Sequence, residues 1–251
     1  MAYLILPSRR TRQPTGRFKL RTGSEWARAA EIVITGFASS RSWFPHTLQL
    51  TGNPANGFAT LIQPYMGATY TTTAYLQRQT IADNSNWTIA GLFMAGYESD
   101  ATLVGTADAA GSSTHDRQLK CNGASSFWSG YVYDGATKEA VSTISPSASR
   151  LDAIVITANG SALSIYVNGA VTTIGISNNG YVGYGTTPQF LIGKSSSNAH
   201  SGFFSPLVVK TRNYWPDALA REFIADPIGS IFAPDSRKIY FGASGGGATT
   251  T

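Results

Sequence analysis

A single cysteine stands in 251 residues. Cys121 therefore has no intramolecular disulfide partner, and the fold does not depend on an oxidising compartment. The expectation is a buried structural thiol, with a reactive one as the alternative. Charge is scarce as well: Asp, Glu, Lys and Arg make up 13% of the chain. Its surface must rest on neutral hydrogen-bonding groups, as in many β-rich secreted, lectin-like and viral structural proteins. No apolar run approaches the ~18 residues of a membrane span. The apolar tip Ala2–Leu6 is too short for a signal-peptide core, and its arginines follow it rather than precede it. The chain is therefore expected to be made and folded in the cytoplasm, without sorting signals.

Chemistry is missing too. No phosphate-cradling Gly-x-x-x-x-Gly-Lys-Ser/Thr occurs, and "GYVGYG" lacks the order and the following helix of a dinucleotide loop. There is no Gly-x-Ser-x-Gly elbow. Ser113, His115 and Asp116 lie together in "SSTHD", but neighbours on an extended strand point to opposite faces, so the segment reads as a polar loop. His46, His115 and His200 are too far apart in sequence to suggest a zinc site. A glycosidase on a sandwich needs two carboxylates about 5–10 Å apart. Glu98 and Asp100 form the one i, i+2 pair, where a solvated turn is expected. No catalytic residue, metal ligand or cofactor is assigned, and the chain is not expected to be an enzyme.

What is present is β-structure. "AEIVITGFA", "GFATLIQ", "TYTTTAYLQ", "WTIAGLFMAG", "ATLVGTA", "FWSGYVYD", "LDAIVITA", "ALSIYVNG", "AVTTIGI", "PQFLIGK" and "FFSPLVVK" are short, rich in β-branched and aromatic residues, and bounded by Gly, Asn, Asp, Ser or Pro. In "ALSIYVNG", Leu163, Ile165 and Val167 alternate with Ser164, Tyr166 and Asn168, the pattern of a half-buried strand. Asn168-Gly169 tolerates the positive φ of a type I′ turn, so Leu163–Ile174 reads as a hairpin. One helix is predicted in "WPDALAREFIADP". Pro216 opens it, Asp217 sits at the positive end of its dipole, and Pro227 stops it. The sum is an all-β antiparallel sandwich of jelly-roll kind with one short C-terminal helix. Residues 1–22 form an extended basic arm, 23–226 the sandwich and 227–251 a C-terminal extension ending in low-complexity "GASGGGATTT".

The arm holds the chain's excess charge. The first 28 residues contain seven Lys or Arg and one acid, while the remainder is nearly balanced. Leu4, Ile5 and Leu6 suit a sheet edge or groove of a neighbouring subunit, and Arg9, Arg10, Arg12 and Arg17 suit its carboxylates. Pro7 and Pro14 keep such an arm extended. The alternatives are a first strand packed on its own domain with solvated arginines, and nucleic-acid binding, which the lack of stacking aromatics and of a recognised module disfavours. Elsewhere Phe127, Trp128, Tyr131 and Tyr133, with Tyr181 and Tyr184, read first as core and cross-strand pairs. A glycan-stacking platform at Trp128 and Tyr131, or a partner surface, is the alternative.

The stretch "SRLDAIVITANGSALSIYVNGAVTTIG", followed by "PQFLIGKSS" and "SGFFSPLVVKTRNYWPDALAREF", resembles the laminin-G/concanavalin-A-like superfamily over Asn86–Phe223. That resemblance implies a lectin-like jelly roll. The acidic residue often found in the late strand is absent from "FFSPLVVKTRNYW", and no acidic-asparagine metal loop stands out, so neither calcium nor sugar binding is carried over. The segment with Asp226-Pro227, Phe232-Ala233-Pro234, Arg237-Lys238 and Ile239-Tyr240-Phe241 resembles the C-terminal extension of laminin-G-like proteins of tailed bacteriophages. "YLILPSRRTRQP" is similar to starts of such proteins. This implies a structural virion component, a head decoration, fibre or tail protein. Its partners would be other capsid or tail subunits, copies of itself and, as a carbohydrate-binding module, host surface glycans. Membrane is not among them.

Overall fold

Alternation between neighbouring side chains decides the architecture, because the central strands are apolar on both faces. The computed structural model describes residues 18–21, 23–26, 30–35, 55–62, 65–70, 76–79, 85–95, 101–108, 117–122, 127–133, 136–177, 188–193 and 203–234. Labelled in chain order, its strands form two large antiparallel sheets and one small one. The eight-stranded sheet runs β13 (Ala170–Gly175), β12 (Ala162–Val167), β11 (Asp152–Asn159), β6 (Asn86–Ala95), β15 (Phe203–Thr211), β4 (Tyr65–Tyr70), β3 (Ala55–Ile62), with β2 (Ala30–Thr35) also on β15. The six-stranded sheet runs β10 (Thr137–Val141), β9 (Phe127–Tyr133), β8 (Arg117–Asn122), β7 (Ala101–Asp108), β14 (Pro188–Ile192), β5 (Leu76–Gln79). This is the expected antiparallel sandwich.

Between the sheets lies one core. Trp87, Ile89 and Phe93 of β6, Ile154 and Ile156 of β11, and Leu163, Ile165 and Val167 of β12 meet Val104, Leu119, Cys121, Trp128, Val132, Phe190 and Ile192 of the other sheet. The intervening residues build a second core on the far side. Ala90 and Leu92, Ala153 and Val155, Tyr166, Leu207 and Val209 are covered by Trp215, Ala220, Phe223, Ile228, Ile231 and Phe232. Every residue of β11 except Asn159 is buried for this reason. Each fully buried aromatic or aliphatic side chain contributes about 1.5–3 kcal/mol of transfer free energy. The half-buried expectation for 163–167 changes accordingly. Ser164 and Tyr166 point away from the inter-sheet core but are themselves buried, because α1 (Asp217–Ala225) lies over that face.

Polar side chains fix the covering layer. The Trp215 amide lies 3.2 Å from Thr88 Oγ1 and 3.0 Å from Thr157 Oγ1, and Thr88 also reaches the Asn213 carbonyl at 2.8 Å. These bonds pin the β15–α1 connection to two central strands. Trp26 adds a bond from its indole N–H to the Leu219 carbonyl at 3.0 Å. Among the described residues two helices, rather than one, follow β15. Pro227 ends the first, but it is equally suited to a first helical turn, where its missing N–H costs nothing. The Asp226 carboxylate accepts from the Gly229 amide at 2.9 Å and so caps α2 (Pro227–Ile231).

Other expectations meet the structure in detail. The Asn168-Gly169 hairpin forms, with φ of 49° and 99° and with Val167 opposite Ala170. "TYTTTAYLQ" is not one strand: β4 ends at Tyr70 and β5 begins at Leu76. Phe232-Ala233-Pro234, in the segment assigned to the C-terminal extension, is β16, and it pairs with β1 (Phe18–Leu20) in the segment assigned to the arm. Pro206 explains an irregularity in β15. Lacking an N–H, it falls where the β6 ladder shifts register between Phe204 and Leu207, and where β15 changes partner from β4 to β2. Gly91 faces the shift, and a Cβ there would collide with the Leu207 carbonyl.

Candidate functional site

The inter-sheet core assigns one face of β8, β9 and β10 to the interior, so the alternate residues form the outer face. Leu119, Cys121, Trp128, Val132 and Ala140 point inward. A Cβ on Gly130 would sit 2.9 Å from Ile156, which confirms the parity. Gln118, Lys120, Ser129, Tyr131, Tyr133, Thr137 and Glu139 therefore face outward. Register arranges them as a grid: Gln118, Tyr131 and Glu139 form one row, Lys120, Ser129 and Val141 the next, and Tyr133 stands opposite Thr137.

Tyr131 is the centre of that grid. It is partly exposed, and its hydroxyl lies 3.3 Å from Thr137 Oγ1. The Lys120 ammonium lies 3.9 Å from the centre of its ring, a cation–π contact between diagonal neighbours. On the same face, opposite Lys120, Ser129 is fully buried, and its hydroxyl has no hydrogen-bond partner. The accessible part of the face thus combines an aromatic plane, a cation, a carboxylate and the Thr137 hydroxyl, while Gln118 and Ser129 are buried within it. Such a surface can stack on an apolar ring face and hydrogen-bond its rim.

Trp128 is elsewhere. It is 0% exposed, and its indole N–H donates to Asp152 Oδ2 at 2.7 Å across the sandwich. Asp152, also 0% exposed, accepts from Asn168 Nδ2 at 2.6 Å and from Arg150 Nε at 2.6 Å. That carboxylate is the chief cause holding the Arg150 guanidinium above its ordinary pKa. The cluster ties β9 to β11 and to the β12–β13 turn, and the Trp128 ring is closed to solvent. Of the two aromatics assigned to a stacking platform, Tyr131 alone is on the outer surface. Residues i and i+3 of a strand face opposite ways, so the spacing itself carried that signal.

Leu4, Ile5, Leu6, Arg9, Arg10, Arg12 and Arg17 lie outside the described residues, as do His46, Glu98, Asp100, Ser113, His115, Asp116, Tyr181, Tyr184 and His200. Among the described residues no three His, Cys, Asp or Glu side chains group as a metal site. Cys121 is buried and in no disulfide, as expected. No helix of the described residues is long and apolar enough to cross a membrane.

No protein-family model matches the chain, and no curated protein matches it either. Solved structures do. Domain 4 of AbnA, an extracellular arabinanase of Geobacillus stearothermophilus in complex with arabinotriose, superposes with a TM-score of 0.61 at 10% identity, over 78% of this chain and 98% of that one. The binding domain of Paraclostridial Mosquitocidal Protein 1 gives 0.59 at 11% identity, over 78% of this chain and 52% of that one. Trypanosoma rangeli sialidase gives 0.51 at 14% identity, over 78% of this chain and 32% of that one. At such identities the likeness is one of fold: this chain shares the β-sandwich of domains from sugar-acting and toxin proteins.

Proposed function

We propose that this chain is a non-catalytic carbohydrate-binding module whose recognition surface is the outer face of β8, β9 and β10. The observation that carries the reading is Tyr131: a partly exposed aromatic plane on the sheet, rimmed by Thr137 and Glu139. Sugars present apolar C–H faces and hydroxyl edges, and this surface offers a partner for each. The fold shared with a domain solved with arabinotriose agrees with it. The test is a glycan array, followed by calorimetry on each hit with the wild type and Tyr131→Ala. Loss of roughly tenfold in affinity with an unchanged melting temperature is expected, the scale of one stacking contact. Unchanged affinity would place binding elsewhere.

A second reading concerns where the module is carried, and the β1–β16 ladder favours it. Phe18 is paired with Pro234, so the chain enters and leaves the described fold at one place. That place adjoins Ile231 and Phe232, in the core beneath the helices. It is on the opposite side of the sandwich from Tyr131. A body tethered there presents the six-stranded face outward. This geometry suits a structural protein of a tailed-bacteriophage virion, a head decoration, fibre or tail component. It would be held to capsid or tail subunits by Leu4, Ile5, Leu6, Arg9, Arg10, Arg12 and Arg17 and repeated as a homo-oligomer. A chain lacking residues 1–17 keeps the β1–β16 ladder. It should remain folded but lose rebinding to stripped virions and its oligomeric state in light scattering. Retention of both would remove the arm from assembly.

A further inference from the structure

The Lys120–Tyr131–Ser129 group has a chemistry that neutral sugar binding does not use. Lys120 contacts an aromatic ring rather than a carboxylate, and it makes no ion pair with any described residue. Ser129, in register with Lys120 on the neighbouring strand, holds a buried hydroxyl without a partner. A buried hydroxyl left unpaired costs free energy that a ligand or water would recover. Glu139 stands on the far side of Tyr131, on β10, two strand spacings or about 9–10 Å across from the β8 strand that carries Lys120. The surface is therefore polarised, cationic on one side of the ring and anionic on the other.

We infer that the ligand of this face is an acidic glycan, whose carboxylate draws the Lys120 ammonium from the Tyr131 ring, a movement that opens the buried Ser129 hydroxyl beside it to the same carboxylate. The inference rests on the carbohydrate reading above. Displacement of the ammonium uncovers the ring for stacking, so charge recognition and stacking are coupled in one movement. Glu139, across Tyr131 from the strand of Lys120, then meets hydroxyls at the other edge of the sugar.

The test is calorimetry on the full chain with paired probes: oligogalacturonate against neutral galacto-oligosaccharide of equal length, and sialyllactose against lactose. At least one acidic probe should bind about tenfold more tightly than its neutral counterpart, the effect of one charge-assisted contact. The preference should shrink as salt rises toward about 0.5 M, where the screening length falls to a few ångströms. Lys120→Gln should abolish the preference, and Lys120→Arg should keep it. Lys120 is partly exposed, so both variants should melt with the wild type. Equal binding of acidic and neutral members, or a preference that survives in Lys120→Gln, overturns the inference while leaving a carbohydrate-binding face. Binding of neither class, here and on the array, overturns both.

Discussion

Asp152 offers the sharpest test of how the two sheets are held together. Its side chain is 0% exposed and receives hydrogen bonds from three residues of different segments: Trp128 on β9, Arg150 before β11, and Asn168 in the β12–β13 turn. Asp152→Asn preserves the volume but replaces an all-acceptor group with one acceptor oxygen and an NH2. That NH2 must then face other donors. The Trp128 indole, buried in the inter-sheet core, cannot turn to water. An orphaned buried donor costs about 1–3 kcal/mol, and a lost hydrogen bond to a charged group about 1.5–3 kcal/mol. Arg150 has 48% of its side chain exposed and rehydrates, so its share is small. The expected loss is about 3–4 kcal/mol, a large part of the 5–15 kcal/mol typical of a domain. Urea unfolding followed by circular dichroism measures it. Trp128→Phe removes the donor, and the double variant should be less destabilised than the sum of the singles by about 1–2 kcal/mol. An Asp152→Asn midpoint equal to wild type, or strict additivity in the cycle, refutes the argument.

Three further outcomes follow from the packing. Gly91→Ala places a methyl against the Leu207 carbonyl and the Phe93 ring and should cost about 1–3 kcal/mol by urea titration, while Gly23→Ala, with open space around it, should cost far less. Burial, reinforced by the Asp217 carboxylate, holds the Tyr166 hydroxyl above its ordinary pKa of 10.0. The unfolded chain therefore releases that proton first, so this contribution is complete below pH 10.0 and is lost as pH climbs beyond it; Tyr166→Phe should flatten the alkaline fall in melting temperature. Thr157→Val removes a hydroxyl that the Trp215 amide approaches at 3.0 Å, and hydrogen exchange at that amide should accelerate with little change at β13.

Much of the fold was legible because the central strands are strongly apolar, and the failures have physical causes. "RQLKCN" and "TKEAV" are strands β8 and β10, but their polar residues hid them. Each sends only alternate side chains inward, Leu119 and Cys121 from β8 and Ala140 from β10. Arg117 obscures the pattern further, since it lies inside with its guanidinium 5.7 Å from the Trp87 ring centre. The layer over the second face was illegible for a different reason. "ALSIYVNG" reads as half-buried whether its polar face meets water or a helix, and no local signal says that Tyr166 will be covered by α1.

The candidate face shows how far parity alone can go. In "FWSGYVYD", Trp128, Gly130 and Val132 share one side, and Phe127, Ser129, Tyr131 and Tyr133 the other, so Trp128 and Tyr131 never belonged to one surface. Which side faces the second sheet is not local information. It is set where Ile156 of β11 comes close to Gly130 and Asp152 takes the Trp128 N–H. The same contacts that withdraw Trp128 into the core turn Tyr131 outward beside Lys120. The site and the core of this sandwich are therefore one decision, made at the β9–β11 contact. A variant that reverses the preference of β9 for its inward face should lose the fold and the Tyr131 surface together.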